Sequence, residues 1–309
     1  MRKALKFAPI LVALVLALTL PQLSAAQSPS NVKITVTATG KKDAPPPDVK
    51  KDDVKFTLGK DRRQISDWSK ADKLYLAIVI DDSLDTTVGS NWNDIKSFIM
   101  TQPANTYIMI GYANNGTVQI TQDFTNDHEL ATKALRLPLG PGAYSSPYLS
   151  VIDLMKRWTS TGDRRSLLLI SSGIDYFRGF GSGPIYPDVQ PAIDRAQRGN
   201  INIWSIFFPG SGHRSRGFFV ANEGQNNLEM LTDSTGGELW ALGTSVPVSF
   251  KPYLDEFSTH LANQYMLSFI PTDGGNKGRF QRVRVQTELP NADLFTTDQA
   301  WMPPSPKKQ

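Results

Sequence analysis

This sequence contains an uninterrupted apolar run of seven residues, Leu74–Ile80, which limits the folds open to the chain. The run contains several β-branched residues and is too short for a buried helix, so it predicts a strand covered on both faces. It stops abruptly at the polar turn Asp81-Asp82-Ser83-Leu84-Asp85. This pattern is typical of the central strand of a parallel α/β sheet, and ligands bind at the carboxyl edge of such sheets.

The polar turn has two interpretations. Asp81, Ser83 and Asp85 alternate, so in an extended chain they point to the same side and offer only oxygen atoms to a hard cation such as Mg²⁺. Asp and Ser are also preferred helix N-cap residues, so the turn is also typical of a capped strand-to-helix connection. Taken alone, the five residues favour the capped turn.

The amino terminus has the pattern of a secretory signal peptide. Basic residues between positions 2 and 6 precede an apolar run over 7–20, and small residues at 24–26 mark a cleavage site before Gln27. The apolar core is short for a membrane span. We therefore predict export to the periplasm or the medium, with no membrane span after cleavage.

Charge and cysteine content exclude several classes. Cleavage would remove three of the 33 basic residues and none of the 29 acidic ones, leaving a net charge of about +1. No basic block stands out, so nucleic acid is excluded as an expected partner. The chain has no cysteine. Stability is therefore expected to come from packing, and a lipidated cysteine anchor is not expected.

The order of local patterns predicts the fold class. Both ends of the chain carry short alternating runs typical of strands, whereas the middle alternates buried strands with amphipathic helices. We predict a doubly wound, mostly parallel α/β sheet with a small β-rich appendage built from both chain ends. The predicted segments are 1–26 (signal peptide), 27–72 (amino-terminal β-rich segment), 73–262 (α/β domain), 263–302 (carboxyl-terminal β segment packed on the amino-terminal one) and 303–309 (disordered tail).

Several local signals refine this outline. Asn115-Gly116 between two apolar runs predicts a β-hairpin. Ser146 followed by Pro147 predicts a helix start with Ser146 as N-cap. Beyond these, we predict a loop over 208–226, a helix over 226–233 and a short edge strand over 238–242.

Together these segments resemble the von Willebrand factor A (VWA) domain, and more narrowly the exported bacterial VWFA-related proteins first grouped in Acidobacteria. The resemblance spans residues 30 to 300 approximately and rests on the order of its segments. These are the strand with DDSLD at 74–85, the hairpin at 106–121, the strand with SSG at 165–173, LEMLTDSTGGELW at 228–240, and QYMLSFIP followed by GRFQRVRV. It implies that 73–262 is a VWA domain, a Rossmann-like sheet with a metal-ion-dependent adhesion site (MIDAS).

That family's metal site combines an Asp-x-Ser-x-Ser turn, a Thr from a second loop and an Asp from a Thr-Asp-Gly loop. Asp81 and Ser83 match, but Asp85 replaces the last Ser, the second loop (140–146) offers only serine, and the third loop reads Ser171-Ser172-Gly173. Either Asp85 supplies the second carboxylate to a Mg²⁺ ion, or no metal is bound; no cofactor is certain. The implied degenerate site consists of Asp81, Ser83, Asp85, Ser145 and Ser172.

Loops following the parallel strands are expected to surround this site. They are rich in Tyr, Phe and Arg, which are enriched in protein-binding surfaces. Alternatively, these aromatic side chains cover the loops' own cores. The candidate protein-binding rim consists of Tyr144, Tyr176, Phe177, Arg178, Arg214 and Arg216.

No catalytic motif is present: the chain lacks Gly-x-Ser-x-Gly, His-Glu-x-x-His and cysteine. His128 and His260 lie in predicted helices and are expected to be ordinary surface or boundary residues. Hydrolytic activity would require a serine and a histidine that the fold brings together, such as Ser172 and His213. We predict an exported, non-catalytic protein-binding or adhesion module whose partner is another protein. The alternative is a structural or assembly subunit with a vestigial metal site, which binds through its β appendage.

Overall fold

A computed structural model describes residues 31–41, 44–70, 72–140, 143–158, 163–176, 184–210 and 217–305. The predicted signal peptide therefore lies outside the described residues. Within the described ranges, none of the helices combines the length and the apolar character needed to cross a membrane.

The described secondary structure runs in the following order. The strands are β1 (Val32–Gly40), β2 (Val54–Leu58), β3 (Asp61–Arg63), β4 (Asp67–Ser69), β5 (Leu74–Asp81), β6 (Thr106–Asn114), β7 (Thr117–Thr125), β8 (Arg164–Ser171), β9 (Ile201–Phe207), β10 (Leu239–Trp240), β11 (Gln264–Phe269), β12 (Arg279–Thr287), β13 (Ala292–Thr296) and β14 (Gln299–Met302). The helices are α1 (Trp92–Thr101), α2 (His128–Lys133), α3 (Pro147–Arg157), α4 (Val189–Gly199), α5 (Phe218–Thr235) and α6 (Lys251–Ala262).

The central sheet has six strands in the order β10-β9-β8-β5-β6-β7. β5 pairs in parallel with β6 on one side and β8 on the other, and only the edge strand β7 is antiparallel. Because the chain builds outward from β5 in one direction and then in the other, the sheet is doubly wound. The predicted fold class and the central position of the apolar run are confirmed.

Helices cover both faces of this sheet. Along β5, Leu76, Ile78 and Ile80 point into a core shared with α1 and α6, whereas Ala77 and Val79 point into a core shared with α3, α4 and α5. This alternation follows from the two-residue period of a strand. With both of its faces buried, β5 has no room for polar side chains until it ends at Asp81.

The β appendage consists of two four-stranded sheets, β13-β1-β11-β4 and β14-β12-β2-β3. Each contains strands from both ends of the chain, as predicted. The sheets share a core in which the Phe56 and Phe269 rings lie 4.7 Å apart. In the predicted tail, the Ser305 amide donates to the Gly275 carbonyl at 2.9 Å, and residues 306–309 lie outside the described ranges.

Three local predictions can be compared with the structure. The hairpin is confirmed, because Asn115 (φ 51°) and Gly116 (φ 74°) form its left-handed turn. The loop predicted over 208–226 is wrong at its end, because α5 already begins at Phe218. Its early turns give a weak apolar pattern, since they pack through Gly224, where an added Cβ would lie 2.2 Å from the Ser172 carbonyl oxygen. The predicted edge strand shortens to Leu239–Trp240.

Candidate functional site

The polar turn after β5 meets two other loops at the carboxyl edge of the sheet. The Gly140 amide donates to the Asp82 carbonyl at 2.9 Å, and the Tyr176 amide donates to the Ser145 carbonyl at 2.9 Å. The first bond holds the loop before α3 against the turn, and the second holds the loop after β8 against the loop before α3. The side chains of Asp81, Ser83, Ser145 and Ser171 meet there and are called the upper-edge site.

Asp81 is the centre of the upper-edge site and is fully buried. Its Oδ1 accepts hydrogen bonds from the Ser83 amide at 3.0 Å and the Ser83 hydroxyl at 2.8 Å. Its Oδ2 accepts from the hydroxyls of Ser145 at 2.7 Å and Ser171 at 2.8 Å. Burial raises the pKa of Asp81 above its ordinary value, and these hydrogen bonds offset part of the rise.

The neighbouring carboxylate, Asp82, has a different partner. Arg136 binds it with two nitrogens, at 2.7 Å to Oδ1 and 2.9 Å to Oδ2, and the Leu139 amide adds a third bond at 3.0 Å. The guanidinium stacks 3.8 Å from the Tyr112 ring centroid. The hydrogen bond with Asp82 raises the pKa of Arg136. The positive charge of Arg136 is therefore committed to Asp82, while Asp81 is held by hydroxyl groups.

Asp85, the proposed second carboxylate of a metal site, is half-buried and caps a short helix. Its Oδ1 accepts from the Thr87 amide at 3.0 Å, at the start of a 3-10 helix over Thr86–Asn91. This is the capping contact of the second interpretation of the turn, the capped strand-to-helix connection.

Ser145 and Ser172 were both named as site residues, and the structure places them differently. The Ser145 hydroxyl reaches Asp81, whereas the Ser172 hydroxyl accepts from the Ile174 amide at 3.4 Å. Ser171 was not among the predicted site residues, but its hydroxyl contacts Asp81 from the end of β8. Sequence alignment to a motif does not distinguish two adjacent serines that lie on opposite sides of a strand end.

A further carboxylate lies close by. Asp175 is buried and accepts from the Ser146 hydroxyl at 3.2 Å. Ser146 occupies the predicted N-cap position of α3, but its hydroxyl does not cap the helix. Burial, together with the nearby charge of Asp175, raises the pKa of Tyr148 well above its ordinary value. The short stretch from Ser171 to Asp175 thus carries an acidic group, although not at the position that the family motif implies.

The described part of the rim is small. Tyr144 is 64% exposed and Tyr176 is half-buried. The predicted rim residues Phe177, Arg178, Arg214 and Arg216 lie outside the described ranges, and so does His213 of the suggested catalytic pair. Other exposed apolar side chains at this edge are Leu137, Leu139, Phe218 and Phe219.

The donor set of the upper-edge site suits a hard cation. Its side chains present only oxygen, which Mg²⁺ and Ca²⁺ prefer. A serine hydroxyl that donates its proton to Asp81 keeps two lone pairs, so it can contact a cation at the same time. A cation beside Asp81 would also stabilise the charged carboxylate against the cost of burial. The residues thus fit Mg²⁺ through Asp81, Ser83, Ser145 and Ser171.

Comparisons with known proteins find similarity at the level of structure. Neither protein-family models nor curated protein sequences give a match. A von Willebrand factor type A protein from Catenulispora acidiphila is 11% identical, with 89% of this chain and 74% of that chain covered and a TM-score of 0.45. The vWF domain of the type V pili tip protein Mfa5 from Porphyromonas gingivalis is 11% identical, with 63% and 96% covered and a TM-score of 0.43.

A proximal thread matrix protein from the mussel byssus, with a zinc-occupied MIDAS motif, is 10% identical, with 63% of this chain and 47% of that chain covered and a TM-score of 0.42. Such identities and TM-scores assign no function to this chain. The strand order of the central sheet and its single antiparallel edge strand agree with the predicted VWA architecture. Membership of the narrower VWFA-related group stays a prediction.

Proposed function

We propose that this chain is an exported, non-catalytic, VWA-type protein-binding module. It contacts its partner at the upper edge of the sheet, with a divalent cation, Mg²⁺ in the first instance, beside Asp81. The observation that carries the proposal is the environment of Asp81. It is a fully buried carboxylate at the carboxyl edge of the central strand, surrounded by three serine hydroxyls, and no Lys or Arg of the described ranges pairs with it.

Because Asp85 caps a helix, a cation beside Asp81 would keep enough positive charge to attract an anionic group of a partner. If Asp85 coordinated the ion together with Asp81, two carboxylates would neutralise the charge of Mg²⁺. Asp85 Oδ1 accepts from the Thr87 amide, whereas Asp81 accepts from the hydroxyls of all three serines. An ion held mainly by hydroxyls keeps more positive charge and binds a partner's carboxylate more strongly.

Exposed apolar side chains around the site support a protein as the partner. Leu137, Leu139 and Tyr144 lie between α2 and α3, in the loop that contacts the turn after β5, and Phe218 and Phe219 begin α5, which follows β9. Their exposed fractions range from 53% for Leu137 to 85% for Phe219. Large apolar residues around a polar centre are typical of a protein-interaction surface.

The first test compares two adjacent serines. Thermal or urea unfolding is measured in EDTA and in excess Mg²⁺ for the wild type and for Asp81→Ala, Ser171→Ala and Ser172→Ala. A ligand bound only by the native state at about a hundred times its Kd adds about 2.7 kcal/mol of stability. We expect this gain in the wild type and in Ser172→Ala, a reduced gain in Ser171→Ala and none in Asp81→Ala. Equal effects of the two serine substitutions would contradict the assigned site.

The second test addresses the partner. Random peptides displayed on phage are selected on the wild type in Mg²⁺ and eluted with EDTA, with Asp81→Ala as the counter-selection target. We expect enrichment of sequences with Asp or Glu next to apolar residues. Peptides that bind equally well in EDTA would contradict cation-dependent recognition. Binding that survives Asp81→Ala and Tyr144→Ser, but is lost on changing residues 278–286, would favour the assembly subunit that binds through its β appendage.

A further inference from the structure

A second group of metal-ligating side chains lies in a cleft between α6, β10 and the β appendage. The cleft has a volume of about 580 Å³ and includes Gly40 and Phe295 in its wall. His260 of α6 and two carboxylates, Glu238 and Glu256, lie together in it. The expectation that His260 is an ordinary surface or boundary residue is wrong, because its side chain is only 8% exposed.

The spacing of the three side chains matches that of ligands around one ion. His260 Nε2 lies 3.2 Å from Glu238 Oε2 and 3.7 Å from Glu256 Oε1, and the three ligand atoms all lie within 4.8 Å of one another. Zinc binds nitrogen and oxygen ligands at about 2.0 to 2.2 Å in tetrahedral geometry, which places two ligand atoms roughly 3.4 Å apart. A single ion therefore fits between these atoms without a large movement.

The short contacts of His260 are not hydrogen bonds. Among the described residues, neither ring nitrogen has a hydrogen-bond partner, although Nε2 is close to both carboxylates. A buried polar atom without a partner is costly. The ring is nevertheless fixed, since it stacks on Trp204 at 5.2 Å between centroids and meets the edge of Phe295 at 5.7 Å. The aromatic packing thus holds a ring nitrogen at the point where two carboxylates converge.

The carboxylates are also held in place. Glu256 precedes His260 by one helical turn, so the two side chains share one face of α6. The indole Nε1 of Trp240 donates to Glu256 Oε2 at 2.9 Å, which leaves Oε1 directed at His260. No Lys or Arg in the described ranges forms an ion pair with Glu238 or Glu256. The negative charge of the cluster is therefore available to a cation.

We propose that Glu238, Glu256 and His260 form a site for a divalent transition-metal ion, with Zn²⁺ the best match. Imidazole together with carboxylate favours such ions over Mg²⁺ or Ca²⁺. Three protein ligands leave the fourth tetrahedral position open to the cleft, where water or an anionic group of a ligand can bind. The site is separate from Asp81 and does not depend on the function proposed for the upper edge.

Isothermal titration of the purified, EDTA-treated protein with Zn²⁺ alone, in the presence of saturating Mg²⁺, tests the proposal. We expect one zinc per chain in the wild type and a loss of affinity of roughly 100-fold or more in His260→Gln and in Glu256→Gln. Asp255→Asn is the matched control, since its carboxylate on the same helix pairs with Lys251 at 2.8 Å. Asp81→Ala controls for the upper edge. Unchanged zinc affinity in both His260→Gln and Glu256→Gln would overturn the proposal.

Two further variants keep the test decisive if His260→Gln fails to fold. Glu238→Gln changes a side chain that is 43% exposed, so it should leave the fold intact and still remove a ligand. Trp240→Phe keeps an aromatic ring but loses the donor to Glu256, and we expect a loss of roughly 10-fold in affinity. Co²⁺ in place of Zn²⁺ should give the strong visible absorption of a tetrahedral site. Zinc affinity and cobalt absorption that persist in Glu238→Gln and Trp240→Phe would count against these ligands.

Discussion

The two polar clusters of this molecule satisfy their buried groups in different ways. At the upper edge, Asp81 accepts four hydrogen bonds, three of them from serine hydroxyls, so the cluster is satisfied without an ion. In the cleft, His260 and two glutamates approach closely, yet the ring nitrogens have no hydrogen-bond partner among the described residues.

This difference suggests what a cation does at each place. Hydroxyls can donate to a carboxylate and can also bind a cation, so the upper edge is stable in both states. In the cleft, His260 Nε2 lies close to two carboxylates without forming a hydrogen bond to either, so this cluster gains more from a shared ion. We therefore expect the cation to regulate binding at the upper edge and to fix local structure in the cleft.

The largest effect is expected when the charge balance of the upper edge is broken. Arg136→Met leaves the buried Asp82 without its counter-ion, which should lower the free energy of unfolding by about 3 kcal/mol, as measured by urea unfolding. Zinc binding in the cleft should be unchanged. Lys251→Met is the control, because it breaks an exposed ion pair and should cost less than about 1 kcal/mol. A comparable loss in both variants would show that Arg136 has no special role.

A smaller effect is expected from pH, through Asp81. Burial raises its pKa in the folded state, so the folded protein holds this proton more tightly than the unfolded chain. The protonated Asp81 therefore stabilises the folded protein at pH values below the pKa that Asp81 has in the unfolded chain. This stabilisation is lost as pH rises through the folded-state pKa. It amounts to about 1.4 kcal/mol for each unit by which the two pKa values differ. Urea unfolding in EDTA from about pH 4 to about pH 8 should show this fall.

Two comparisons isolate the contribution of Asp81. Asp81→Asn, which cannot ionise, should flatten the pH dependence in EDTA. Mg²⁺ should weaken it in the wild type, because a bound cation favours the ionised carboxylate. A pH profile that is identical in the wild type and Asp81→Asn would rule out the buried carboxylate as its source.

The smallest effect separates the two roles of Asp85. Asp85→Ala removes the cap on Thr87 and should cost about 1 kcal/mol, whereas Asp85→Asn keeps a capping oxygen and should cost less. Because Asp85 caps the helix, the stabilisation by Mg²⁺ should be the same in the wild type and both variants. If Asp85→Asn abolishes the response to Mg²⁺, Asp85 is a metal ligand and the upper-edge site contains two carboxylates.

The fold was predictable where local pattern alone determines structure. The continuous apolar run of β5 required burial on both faces, and Asn115-Gly116 supplied the left-handed turn that a two-residue hairpin needs. The start of α5 was not predictable, because its first turns pack through Gly224 rather than through a regular apolar stripe.

The candidate sites were less predictable, because their members come from distant segments. Asp81 and Ser83 stand out at the end of a strand, but the choice between Ser171 and Ser172 depends on the direction of the side chains at the end of β8. Arg136 reaches Asp82 across 54 positions of sequence. Glu256 and His260 show helical spacing in the sequence, whereas their relation to Glu238 depends on where β10 lies beside α6.

The most direct test of two independent cation sites is a crossed measurement of unfolding stability. Wild type, Asp81→Ala and His260→Gln are each measured in EDTA, in Mg²⁺, and in Mg²⁺ with added Zn²⁺. We predict that Asp81→Ala loses only the gain from Mg²⁺ and that His260→Gln loses only the additional gain from Zn²⁺. If one substitution removes both gains, or if neither removes any, the molecule does not have two separate sites with different metal chemistry.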